Sequence, residues 1–197
     1  MKSFLIVISL ALVSSLFCSC GTTVRRVDPQ GNRTLTTAHD INVKDWQIAA
    51  EKCINSLLES GVLIRPDGRK YVVMISHIKN STIQRINTNI LTDKIRQAML
   101  KSGKAVITTA VASGGPEDKA TAESRKLQDS TLFDQRTVQQ DGTAIAPDLS
   151  LGGEIIQQKT KGDDIQESYF FFHMTLTDLK TGLAIWEDNA EVVKQVE

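Results

Sequence analysis

Between residues 168 and 179 every second side chain is apolar. Phe170, Phe172, Met174 and Leu176 fall on one side of an extended chain, and His173, Thr175 and Thr177 on the other. That period of two predicts a strand buried on one face. Lys180-Thr181-Gly182 reads as a hairpin turn, and residues 183–193 return as a last strand with Ala184, Trp186, Ala190 and Val192 on a common face. Residues 148–158 are expected as the strand before this pair, where Gly152-Gly153 marks a bulge or a close backbone approach. Gly162-Asp163-Asp164 is the turn between them.

The N-terminal half has a different period. Trp46, Ala50, Cys53, Ile54, Leu57 and Leu58 recur at steps of three and four, which predicts a helix over 43–60, capped by Asp40 or Asn42 and ended at Gly61. Arg65-Pro66-Asp67-Gly68 is a turn. The continuous apolar run Tyr71-Val72-Val73-Met74-Ile75 predicts a strand over 70–78, covered on both faces. Leu91, Ile95, Ala98 and Met99 line a second helix over 87–102, with Gly103 in the left-handed terminating position. Residues 105–111 are rich in β-formers until Ser113-Gly114-Gly115-Pro116 breaks them.

From 117 to 146 the character changes. Pro116 can begin a helix, and Glu117 and Asp118 suit its first turn. Its apolar face is thin, with Ala120, Leu127 and little else, and Leu132-Phe133 stand alone among polar residues. This segment is either mobile or completed by a partner. The element order predicts an α+β fold, with helices packed on a mixed, largely antiparallel sheet of four to five strands. There is no internal repeat.

The first residues are unlike the rest. Lys2 precedes an apolar run from Phe4 to Phe17, shorter than the about 20 residues a membrane span needs. A charged start, an apolar stretch and a small residue at the cut describe a secretory signal. Phe17-Cys18-Ser19-Cys20-Gly21 resembles the lipobox of bacterial lipoproteins, with Cys20 as the acylated residue. It departs from that pattern in having Phe17 where Leu is usual, and the alternative is an ordinary signal peptide that contains two cysteines. The resemblance implies cleavage before Cys20 and a lipid anchor, and Gly21, not Asp, after the cysteine resembles an outer-membrane sorting signal. Residues 21–40 are polar, without periodicity, and interrupted by Pro29 and Gly31, as a tether is. The expected organisation is therefore a signal over 1–19, a lipidated cysteine and tether over 20–41, and a globular domain over 42–197.

Composition narrows the chemistry. Lys and Arg together number 23, as do Asp and Glu, so no basic stripe offers itself to nucleic acid. His39, His77 and His173 lie far apart in sequence, without neighbours at metal-ligand spacing. No nucleophile elbow, P-loop or dinucleotide fingerprint is present. Asp163-Asp164 reads as a solvated hairpin tip, Glu187-Asp188 as edge-strand charges, and Trp186 as core or sheet surface. Cys53, at an apolar helix position, is expected to be buried. Neither an enzyme, a cofactor, a metal nor a small-molecule substrate is expected.

Three stretches resemble the penicillin-binding protein activator LpoB family. They are residues 91–104 (LTDKIRQAMLKSGK), the middle segment around Glu123-Ser124-Arg125-Lys126-Leu127 and Ala146-Pro147-Asp148-Leu149, and the ending 176–194 with Thr181-Gly182-Leu183-Ala184-Ile185-Trp186. The resemblance runs from about Trp46 onward. It implies a fold similar to the N-terminal domain of TolB. It also implies an outer-membrane lipoprotein, facing the periplasm, that docks on a class A penicillin-binding protein and stimulates peptidoglycan synthesis without chemistry of its own. The best-known members have a long Pro-rich tether. Here it is about 20 residues, with a relaxed reach of about 25 Å against about 70 Å fully extended.

Partner contact is expected at Arg125, Asp129, Phe133 and Gln135, since Arg and exposed Phe are typical interface anchors. Their alternative role is internal, with Arg125 and Asp129 as a surface pair one helical turn apart. Two other functions compete: an envelope adaptor or secretion-related structural subunit with a TolB-like domain, and a cell-wall hydrolase, for which no catalytic constellation is found.

Overall fold

The computed structural model describes residues 27–28, 37, 40–111 and 117–196. The chain divides into compact units over Met1–Arg33 and Thr34–Glu197. Cys20, the signal and most of the expected tether, with His39 and Pro116, lie outside the described residues. The fold below is that of the second unit.

Helix α1 (Val43–Glu59) leads into β1 (Tyr71–Ser81), α2 (Thr88–Ser102) and the short β2 (Ala105–Ile107). A single turn, α3 (Ala120–Glu123), continues as a 3-10 turn (Ser124–Leu127), and β3 (Leu149–Lys161), β4 (Gln166–Asp178) and β5 (Ala184–Val196) complete the unit. The strands form one sheet in the order β2-β1-β3-β4-β5. β1 runs parallel to both β2 and β3, and the last three strands form an antiparallel meander. This is the expected α+β fold on a mixed sheet.

The buried residues show why. Phe170, Phe172, Met174 and Leu176 of β4 are all buried, together with Leu149, Leu151 and Ile155 of β3. Ala49, Cys53, Ile54 and Leu57 of α1 and Leu91, Ile95 and Met99 of α2 close over them as a single core. Asn42 caps α1: its side chain accepts from the Lys44 and Asp45 N–H groups, and Asp45 reaches back to the Asn42 N–H at 2.9 Å, a closed capping box. Asn87 caps α2, and Gly103 ends it at φ 66°.

Several expectations need correction. β1 is buried on one face only: Val73, Ile75 and Ile78 face the core, whereas Val72 and Met74 are half-buried. A register shift between Ile75 and Ile78 inserts one residue, so the core side passes from odd to even positions. β2 stops at Ile107 and does not run to Val111, although the Thr108 N–H still bonds to Val73. α3 begins at Ala120, after an Asp118 carboxylate that accepts the Ala120 N–H, and lasts one turn; its apolar face is too thin to stabilise a longer helix. Ala184 does not share the face of Trp186. A second shift opposite Leu176 and Thr177 pairs Ala184 with Thr177 on the outer side.

Gly152-Gly153 lies where β3 meets the irregularity in β1. A Cβ at position 153 would fall inside van der Waals contact of the His173 carbonyl oxygen, whereas one at 152 would meet the Ser76 Cβ at an ordinary 3.6 Å. Gly153→Ala therefore forces β3 and β4 apart. It is expected to cost about 1–3 kcal/mol in denaturant unfolding, with Gly152→Ala clearly less destabilising.

Candidate partner-contact surface

The outer face of the sheet lacks the helical cover of the inner one at the β1–β2 corner. There, α3 and the chain that follows it lie against Val72 and Val106. Thr121, Arg125, Ala144 and Ile145 border a cavity of about 300 Å³ with these strand residues. The segment from 117 to 148 is thus attached at both ends: Asp118 N–H bonds to Thr109, and Asp148 N–H to Val72.

Within the segment one side chain sets the path. Gln135 accepts the Asp129 N–H at Oε1 (3.1 Å), and its Nε2 lies 2.7 Å from the Ser130 carbonyl and 3.2 Å from those of Leu127 and Phe133. Asp129 takes φ 61°, the one positive value among the described non-glycine residues, and Asp tolerates that region better than most side chains. Arg125 donates to the Thr121 carbonyl and, through Nη2, to Thr143 Oγ1 at 3.2 Å. No ion pair joins Arg125 to Asp129 among the described residues; Asp129 has left the helical path that would place it one turn away. The arrangement leaves Leu132 at 88% and Phe133 at 47% exposure. The structure therefore gathers Asp129, Phe133 and Gln135 in one tight loop, with Arg125 holding its base. Gln135 acts inward and Phe133 faces outward.

A second feature had no local signal in sequence. Arg65, after α1, pairs with Asp148 at 3.1 Å and Asp67 at 3.0 Å, and its guanidinium stacks over Tyr71 at 5.2 Å. Asp148 also accepts the Val72 N–H at 2.9 Å. These groups floor an open cleft of about 580 Å³ that reaches Asp178 and Lys180 in the β4–β5 turn. The pairing spans 83 positions of sequence, so no window of neighbouring residues reveals it. A hydrogen bond from Arg69 holds the Asp67 carboxyl below its ordinary range; one from Arg136 does the same for Asp134 in the loop.

Two further titratable groups lie on the last two strands. Asp188 faces α1, and a hydrogen bond from Ser56 lowers its pKa. His173 lies 3.0 Å from Thr175 Oγ1 and 3.6 Å from Glu187. Among the described residues no three His, Cys, Asp or Glu side chains are placed to hold a metal, and no helix is long and apolar enough to cross a membrane.

One sheet face is buried under two helices, and a polar loop and an open cleft lie at the margin of this α+β domain. The family model of the peptidoglycan-synthase activator LpoB matches residues 45–192, and the chain belongs to that family. No curated protein matches it. Among solved structures it is similar to the LpoB C-terminal domain from Salmonella enterica, at 16% identity over 75% of this chain and 98% of that one, TM-score 0.41. The corresponding Escherichia coli domain gives 16% identity, the same coverage and a TM-score of 0.40. A PelC dodecamer from Paraburkholderia phytofirmans gives 15% identity over 62% and 70% of the two chains, TM-score 0.35.

Two outcomes test these local readings. Gln135→Ala should accelerate limited proteolysis between 128 and 140 while leaving the melting temperature within a degree or two, since the loop adds little to the core. Burial pushes the Cys53 thiol up to about 11 from its ordinary 9.0, with Asp188 adding to the effect. The folded state thus prefers the protonated thiol; its contribution to stability is complete below pH 9 and is lost as pH rises through 9 towards 11. In a chain starting at Gly21, whose sole thiol is Cys53, alkylation at pH 8 should proceed at the rate of unfolding.

Proposed function

We propose that this protein is cut before Cys20 and acylated there, and is held at the outer membrane facing the periplasm. Residues 20–41 form the tether, and the domain over 42–197 binds and activates a class A penicillin-binding protein. The match to the activator family over residues 45–192 carries this reading. The lipobox-like sequence at Phe17–Cys20 supplies the anchor, and three acyl chains exceed the two signals needed for stable attachment.

The activator performs no chemistry in this account. It binds the polymerising state of the synthase more tightly than the resting state, and the ratio of those affinities is the most it can shift the equilibrium. The loop supplies contact: Phe133, beside Leu132, is the apolar anchor, and Arg125, Asp129 and Gln135 fix its presentation. A preorganised loop loses less entropy on docking than a floppy one.

Phe133→Ala tests the loop's role. Truncation of an interface anchor is expected to weaken binding of the purified class A synthase by about 2 kcal/mol or more, roughly thirtyfold, with the melting temperature unchanged. A large fall in melting temperature with binding intact would make Phe133 a core residue. Enrichment of a different envelope assembly on the immobilised domain, with no synthase retained, would move the function to an envelope adaptor.

A further inference from the structure

The strand β5 ends the sheet order β2-β1-β3-β4-β5. It pairs with β4 along its length, and among the described residues no strand lies on its other side. At the opposite edge β2 has three residues, whereas β5 has 13. A long open edge presents unpaired backbone N–H and C=O groups and is a template for another strand.

The alternation of an antiparallel ladder decides which groups those are. Asn189 donates its N–H to the Asp188 carboxylate at 2.7 Å, so its backbone points away from β4. Glu187, Glu191, Val193 and Gln195 are in step with it and turn their backbone groups to the same open side, while the positions between them bond to β4. The first half of the edge is closed by charge, since Asp188 occupies the Asn189 N–H and the exposed Glu187 stands beside it. In the second half, no side chain among the described residues covers the N–H of Glu191, Val193 or Gln195. Their own side chains stand on the outer face of the sheet and are exposed, Val193 at 54%. Lys194 points inward and is engaged by Asp45 at 2.6 Å.

The side chains decide what can pair here and in which register. Two copies of this edge can meet antiparallel about a two-fold axis, an arrangement in which each residue's contact is repeated by symmetry. An axis at residue 191 sets Glu191 against its own copy, and one at 194 sets Lys194 against Lys194. Like charges directly opposite destabilise a strand pair. An axis at 192 calls on the Asn189 N–H, which Asp188 already holds. An axis at 193 meets none of these obstacles. It sets Val193 opposite Val193, Glu191 opposite Gln195 in both directions, and Val192 opposite Lys194. One hydrogen of the Gln195 amide is held by Glu167 at 2.7 Å, and the second is available to Glu191 of the facing strand. Val193 neighbours Tyr169 of β4, so an apolar row on the outer face continues across the axis.

We propose that a second copy of this chain docks on the open half of β5, strand against strand about a two-fold axis at Val193, so that two five-stranded sheets become one. The pairs 193–193, 191–195 and 195–191 each exchange two backbone bonds, about six in all. The loop that carries Phe133 lies against Val72 and Val106 of β1 and β2, separated from this seam by β3 and β4. Both copies therefore keep it free, and the pairing is independent of what that loop binds.

Sedimentation equilibrium of the full-length chain in detergent, with micelles in excess, tests the proposal. The parent is expected as a dimer at micromolar concentration. Val193→Pro removes an N–H that faces away from β4, a place where an edge strand tolerates proline. The melting temperature should stay near the parent's while the dimer is lost. Charge at position 195 gives a second readout without a backbone change. Gln195→Glu faces Glu191 and should weaken dimerisation roughly threefold or more, whereas Gln195→Lys should strengthen it. In envelopes, Val193→Cys should give a disulfide-linked dimer, because residues that exchange both bonds lie about 5.5 Å apart at Cα. Leu183→Cys, beyond the seam, should not. A parent that is monomeric at every concentration, a dimer unaffected by both Val193→Pro and Gln195→Glu, or linkage from position 183 in place of 193 would overturn the proposal.

Discussion

Phe170, Phe172, Met174 and Leu176 leave β4 on the same side, and all four are buried. Each such side chain contributes roughly 1.5–3 kcal/mol when taken from water, so the strand cannot turn this face to solvent. Two helices must cover it, and the alternation leaves Tyr169, Phe171, His173 and Thr175 on the opposite face. β4 is also central to the meander, paired along its whole length with β3 and β5. The place of α1 follows from this strand through β5. Asp188 and Lys194 project from β5 toward Ser56 and Asp45, so the helix is fixed to the sheet at two points.

A single side chain carries much of this seam. Asp45 closes the capping box of α1 and receives Lys194 through the same oxygen. One carboxylate therefore starts the helix and joins it to the last strand. At the far end, Asp148 has a similar double role: it joins Arg65 to the β1 backbone and closes the long 117–148 segment.

Much of this was legible in the sequence because it is local. The alternation in β4, the steps of three and four in α1 and α2, the Asn42 and Gly103 caps and the 180–182 turn all depend on near neighbours. What escaped depends on register. The shift in β1 moves Ile78 onto the core face, and the one in β5 moves Ala184 off it; neither leaves a mark on hydropathy. The tight loop was visible only as a weak apolar pattern around Leu132-Phe133, and the inward role of Gln135 needed coordinates. The Arg65–Asp148 and Lys194–Asp45 pairs join residues that only the fold brings together. Cys53 behaved as its helix position implied, fully buried in the core.

In the proposed function, the folded chain activates a peptidoglycan synthase and makes no bonds itself. Glycan-strand polymerisation by the purified class A synthase, measured with and without a saturating amount of this protein, tests it most directly. A several-fold faster rate is expected in its presence, with no product from the protein alone. An unchanged rate with the two proteins demonstrably bound, or digestion of purified sacculi by this protein on its own, would contradict it.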